Sequence, residues 1–197
     1  MKKTTIKMRK GDDLHCHLRR GDILKSVISH TANQFARATI MPNTYPCPIL
    51  TGEDAKEYLQ EIVNIQPPCS SFEPLMTIQI TDNTTPQIIQ KARNAEVIAG
   101  KIYPFGVTTG SHNGVTNFEK IYPVFQEMED VGMLLLLHGE SPKPNLFCLD
   151  REKEFLPTLI QIANKFRRLK IVLEHITTKD AVNTVLSLPD TVAATIT

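Results

Sequence analysis

The chain has 197 residues, 41% of them hydrophobic, enough to bury a substantial core as one globular domain. Its 22 lysines and arginines against 21 acids leave a net charge of +1, which argues against nucleic acid and anionic membranes as partners. The basic start Met1–Asp13 lacks the apolar stretch of a signal peptide, and the longest apolar run, Met133–Leu137, is too short to span a bilayer. The cysteines (Cys16, Cys47, Cys69 and Cys148) are scattered and make no CxxC pair, so a cytoplasmic location is expected.

In chain order, the first apolar run, Asp12–Leu18, reads as a strand and is followed by a weak helical pattern over Asp22–Phe35. A strand at Ala38–Pro42 precedes a helix over Gly52–Ile65, and a strand at Leu75–Thr81 precedes a helix over Pro86–Ala95. After a fourth strand at Val97–Tyr103, Thr116-x-x-Glu119 has the form of a capping box. Phe118, Ile121, Tyr122, Phe125 and Met128 follow at helical spacing up to Gly132, with Pro123 interrupting the pattern. The fifth strand is Met133–His138; Asp150 then reads as the N-cap of a helix whose stripe is Phe155, Leu156, Leu159, Ile162, Ala163 and Phe166. A sixth strand, Ile171–Ile176, leads to Thr177-x-x-Asp180, which opens a helix carrying Ala181, Val182, Val185 and Leu186. A seventh strand begins at Thr191–Thr197.

Strand and helix alternate throughout, which predicts βαβ units and a parallel sheet in a single domain, 1–197. No GxGxxG or GxxxxGK[ST] follows any strand, so an open nucleotide-binding sheet is disfavoured and a (β/α)8 TIM barrel is expected. A full barrel needs about eight strands and typically about 250 residues. About six βα units and the start of strand seven are present, so the barrel is incomplete, stopping before strand eight.

The chemistry concentrates at the carboxyl ends of these strands. Four of the six histidines lie there: His15, His17, His138 and His175. Strand residues two apart share a face, so His15 and His17 point together, a geometry suited to a first-row metal, while Cys16 turns to the opposite layer as a structural residue. A single histidine at such a place is more often a hydrogen-bonded core residue; four on three strand ends favour a metal site. Lys101 sits inside an otherwise apolar strand. It either pairs with an acid or, as a desolvated neutral amine, takes up CO2 to form a carbamate that bridges two metal ions. The histidines nearby favour the carbamate.

Asp13-Leu-His-Cys-His-Leu-Arg19, Met41-Pro-Asn43, Lys101-Ile-Tyr-Pro104, Leu137-His-Gly-Glu140 and Glu174-His-Ile-Thr-Thr-Lys-Asp180 together resemble the dihydroorotases of the bacterial single-function type, in the amidohydrolase superfamily. The match runs collinearly from about Lys7 to Thr197; HxH alone is shared by the whole superfamily, whereas HxHxR with MPN and EHITTKDA is specific. The resemblance implies a metal-dependent hydrolase with two zinc ions, one held by His15 and His17 and the other by His138 and His175. Carboxylated Lys101 and a hydroxide would bridge them. Substrate contacts would come from His17, Arg19, Asn43 and His138, with Thr108 and Thr109 on a loop over the substrate; an arginine fork matches a carboxylate bidentately.

The implied reaction is the reversible interconversion of N-carbamoyl-L-aspartate and (S)-dihydroorotate, in pyrimidine biosynthesis. The substrate is a small molecule, and the resemblance admits a homodimer. The family's general acid/base, an aspartate at the end of strand eight, is expected beyond Thr197, and no visible acid replaces it. The isolated chain is therefore expected to be inactive and, with its barrel open, prone to aggregate. Two other readings stand beside this one: a different cyclic amidase, such as an allantoinase or dihydropyrimidinase, and an inactive metal-binding fragment.

Overall fold

A computed structural model describes residues 5–68, 70–108 and 111–196. Seven parallel strands form one sheet in sequence order: β1 (Asp12–Cys16), β2 (Arg37–Ile40), β3 (Glu73–Ile80), β4 (Ala99–Ile102), β5 (Leu134–His138), β6 (Ile171–Glu174) and β7 (Val192–Ala194). Each of the first six strands is followed by a helix that crosses back to the next: α1 (Gly21–Gln34), α2 (Gly52–Ile65), α3 (Pro86–Asn94), α4 (Tyr122–Val131), α5 (Arg151–Lys165) and α6 (Lys179–Ser187). The sheet is curled, so that His15 on β1 reaches Glu174 on β6 at 2.9 Å. This is an incomplete (β/α) barrel, in which β1 and β7 have no strand partner on their outer sides among the described residues.

Alternation along the strands sorts the side chains into two layers. Outward residues such as Ile78, Ile80, Ile102, Leu135, Leu137, Ile171 and Leu173 pack against buried helix residues, among them Ile62, Ile89, Phe125, Leu159 and Ile162, in the main core. A small inner cluster of Met41, Ala99 and Leu136, flanked by Val172, fills the curl. Lys101 and Glu174 sit two residues beyond Ala99 and Val172 on β4 and β6, so they share that inner face, and both are buried.

The strands and helices fall where the apolar periodicity places them, and α2 matches its expected limits, 52–65. The start signals fare less well. Thr116 does not cap a helix: it gives both its backbone N–H and its hydroxyl to Asp82, tying the chain to the end of β3. A short 3₁₀ turn, Phe118–Ile121, is capped by Asn117 instead, and α4 starts only at Tyr122. Pro123 therefore opens the helix rather than interrupting it, since the first turn has no use for its missing N–H. Asp150 immediately precedes α5, but its backbone is helical and its side chain makes no capping bond. The cap of α6 is Thr178, whose hydroxyl accepts from the Ala181 N–H, one residue later than the Thr177 pattern suggested.

The stripe of α5 is buried as expected, whereas in α6 only Ala181 is fully buried and Leu186 remains 79% exposed. The main packing partners of α6 are α5 and β7, which leave the side carrying Leu186 uncovered. No helix among the described residues is long and apolar enough to cross a membrane.

Candidate metal and substrate site

Five side chains from four strands meet at the carboxyl end of the curled sheet. His15 is in β1 and His17 lies just past its end; Lys101 comes from β4, His138 ends β5, and His175 follows β6. His15 Nε2 stands 3.1 Å from His17 Nε2, and His138 Nδ1 stands 3.1 Å from His175 Nε2. The two pairs adjoin, with the His15 and His175 rings 5.2 Å apart between centroids. Two nitrogens bound at about 2.0–2.1 Å to one tetrahedral zinc lie about 3.3 Å from each other, so each pair already has the spacing of two ligands on one ion.

At three of these rings burial favours the neutral form, the one that coordinates. Burial, then the charge of Arg19, lowers His17 to about 4; burial, then Lys101, lowers His138 to about 3. His175 is lowered as well, first by burial and then by Lys101. His17 Nδ1 and His138 Nε2 are buried without a hydrogen-bond partner. Imidazoles converging in two pairs, with facing nitrogens 3.1 Å apart in each, fit a divalent metal.

Glu174 is the acid that the reading of the motifs passed over. It accepts from His15 Nδ1 at 2.9 Å and forms an ion pair with the Lys101 ammonium inside the curl. Burial would raise its carboxyl, but the bonds from His15 and the charge of Lys101 prevail and hold it below the usual range. Lys101 is fully buried, and that burial lowers its amine against the opposing pull of Glu174. The structure thus contains the acid partner that one of the two sequence readings of Lys101 requires. The signal for Glu174 was the same one that drew attention to Lys101, a charge in an apolar strand, here Ile171-Val-Leu-Glu174. His15, Glu174 and His175 each offer a ligand atom within 4.8 Å of the others.

Glu174 and His175 are adjacent, and in an extended strand they would face opposite sides. His175 instead adopts a left-handed backbone, φ 45°, which brings its ring round beside His138 and His15. Arg19 has φ 60°, and its carbonyl accepts from the buried Tyr58 hydroxyl of α2. Such conformations cost about 1–3 kcal/mol at non-glycine residues and persist where the surroundings fix them, often at functional sites.

A cavity of about 220 Å3 opens onto the histidines, lined by His15, His17, Arg19, Asn43, Tyr103, Thr108, His138 and His175. Arg19 Nη1 donates to the Asn43 carbonyl at 3.1 Å, and Asn43 Oδ1 is buried without a partner. The Tyr103 hydroxyl is likewise unpartnered, and burial raises it far enough to keep it protonated. Tyr103 was not singled out from sequence, although it lies two residues past Lys101 and so shares its face. Thr108 lines the cavity as expected; Thr109 lies outside the described residues. Cys16 belongs to the outer core, turned away from the site, and burial pushes its thiol up to about 11.

No family model matches the chain. It is 50% identical over 196 residues to a dihydroorotase of Vibrio cholerae, covering 98% of this chain and 57% of the relative. Among solved structures, the dihydroorotase of Campylobacter jejuni superposes with a TM-score of 0.88 at 37% identity, over 95% of this chain and 54% of that one. The Saccharomyces cerevisiae dihydroorotase in complex with 5-fluoroorotic acid gives 0.85 at 34% identity, over 95% and 55%. Across nearly all its residues the chain is a homologue of dihydroorotases, and it spans little more than half the length of the relatives it matches.

Proposed function

We propose that this chain is the metal-binding portion of a dihydroorotase, which opens and closes the ring between N-carbamoyl-L-aspartate and (S)-dihydroorotate in pyrimidine biosynthesis. The observation that carries the reading is the pairing of ring nitrogens, His15 with His17 and His138 with His175, on one cavity with Arg19 and Asn43. The yeast relative was solved with 5-fluoroorotic acid, a carboxylated pyrimidine ring of the same kind.

His15 and His17 would hold one zinc, His138 and His175 the other, with carboxylated Lys101 between them. When bound, the ions supply a Lewis acid for the ring carbonyl and a hydroxide nucleophile near neutral pH. Glu174 fixes the His15 tautomer: accepting at Nδ1–H leaves the Nε2 lone pair facing the site. Arg19 and the Asn43 amide would grip the substrate carboxylate. The Tyr103 phenol, kept protonated by burial, is a neutral donor at the cavity wall. Thr108 at the cavity wall, with Thr109 next to it in sequence, would contact the substrate. The proton for the leaving nitrogen is assigned to an acid that these site residues do not supply. We take the parent to be a cytoplasmic enzyme.

The test is made on the full-length parent, by assaying dihydroorotate, allantoin and dihydrouracil side by side and measuring bound metal. Turnover of dihydroorotate, with about two divalent ions lost when His15 and His17 become alanine, is the expected result. Preference for allantoin or dihydrouracil, or folded chelator-free protein without metal, overturns it.

A further inference from the structure

His175 must hold a left-handed backbone at the point where β6 gives way to a turn, and the strand ladder alone does not impose one. Two sets of bonds surround it. On one side, Thr195 accepts from the His175 N–H at 2.9 Å through its hydroxyl and from the Ile176 N–H at 2.9 Å through its carbonyl. On the other, a single carboxylate takes up the next two residues entirely. Glu152 Oε2 accepts from the Thr177 N–H at 2.9 Å and the Thr177 hydroxyl at 3.0 Å. Its Oε1 accepts from the Thr178 N–H at 3.0 Å and the Thr178 hydroxyl at 2.6 Å.

Thr178 is also the cap of α6, accepting from the Ala181 N–H at 3.1 Å, so its hydroxyl is used in both directions. Glu152 sits in the first turn of α5, a rigid element whose neighbouring Phe155 and Leu156 are buried in the core. Its carboxylate does not reach the histidine pairs; it acts on the turn that carries one of them.

We infer that Glu152 is a positioning residue: it clamps Thr177 and Thr178 from α5 and thereby holds His175 in the left-handed conformation that points its ring at His138. This rests on the reading of His175 as a metal ligand. The four donors need an acceptor at both oxygens, and the Thr177 N–H reaches Oε1 as well, at 3.3 Å. A glutamine at 152 presents an amide NH2 to one threonine and so keeps the shape while breaking half of the clamp. A ligand held less firmly in its productive rotamer binds metal more weakly, even though no ligand atom has been removed.

The experiment uses the full-length protein loaded with Co2+, read by its visible ligand-field spectrum and by chelator competition, with circular dichroism to follow folding. Glu152→Gln and Glu152→Ala are expected to weaken one of the two metals by about tenfold, to alter its spectrum and to spare the other. His175→Ala is the reference. If it loses no metal affinity, the reading of His175 fails and the inference goes with it. If it loses one metal while Glu152→Gln binds both like wild type with an unchanged spectrum, the reading stands and the clamp is refuted. Should the Glu152 variants unfold, Thr177→Ala, which removes one hydroxyl donor, decides by the same comparison.

Discussion

Lys101 on β4 and Glu174 on β6 meet inside the curl of the sheet, although their strands are not neighbours and β5 lies between them. Both are buried; Glu174 is the acid that compensates Lys101 for lost water, and Glu174 is bonded by His15 as well. Removing one partner of such a pair leaves an uncompensated charge and costs about 3–5 kcal/mol. Glu174→Gln in the metal-free full-length protein is therefore expected to lose several kcal/mol by denaturant unfolding. The double change Lys101→Met with Glu174→Leu should lose less than the single one. Equal stability of wild type and Glu174→Gln without metal would show that the pair is not formed in the metal-free protein.

If Lys101 is carboxylated when metal is present, its amine must first give up both its proton and its partnership with Glu174. Burial, which already lowers this amine, favours that exchange. Lys101→Ala is expected to abolish dihydroorotase activity of the parent, and a short-chain carboxylic acid should restore part of it by supplying the missing oxygens. Near-normal rates in the unsupplemented variant would end the bridging assignment.

Arg19 is held from behind by Tyr58, whose hydroxyl donates to its carbonyl, and it braces Asn43 in front. Arg19→Lys keeps the charge but loses the fork, and should weaken dihydroorotate binding by about 1.5–3 kcal/mol. Tyr58→Phe touches no substrate; losing one buried hydrogen bond should lower stability by about 1 kcal/mol. Steady-state kinetics and thermal unfolding separate the two effects, and an unchanged KM and kcat in Arg19→Lys would remove it from the substrate site.

Gly114 anchors the far end of the segment that follows β4 and includes Thr108. A Cβ there would lie 2.5 Å from the Tyr103 carbonyl and 2.8 Å from the Phe105 nitrogen, both backbone atoms that cannot step aside. Gly114→Ala is expected to break the pairing of Val115 N–H with the Tyr103 carbonyl and to displace the loop from the cavity. Raised KM with faster limited proteolysis between β4 and α4 is the predicted outcome; a variant with wild-type KM and cleavage pattern would contradict it.

Much of this molecule was legible in its residues taken in order. Apolar runs of strand length alternating with amphipathic stretches define the βαβ repeat, because burying both faces of a parallel sheet demands that composition. Alternation within a strand aligned His15 with His17 and sent Cys16 the other way, since a period of two needs no knowledge of the rest of the fold. Other features depended on contacts distant in sequence. Thr116 looked like a helix cap until Asp82, 34 residues earlier, was found to take its donors. Glu174 looked incidental until the curl brought β1 and β4 against it. His175 reaches the site only because its backbone departs from the strand, where Thr195 and Glu152 hold the residues around it. Local periodicity is written by neighbouring residues and their exposure to water, so the sequence determined the layers and most of the converging histidines. Partners for buried charges and a turned backbone come from elements far apart in the chain, and only tertiary packing decided those.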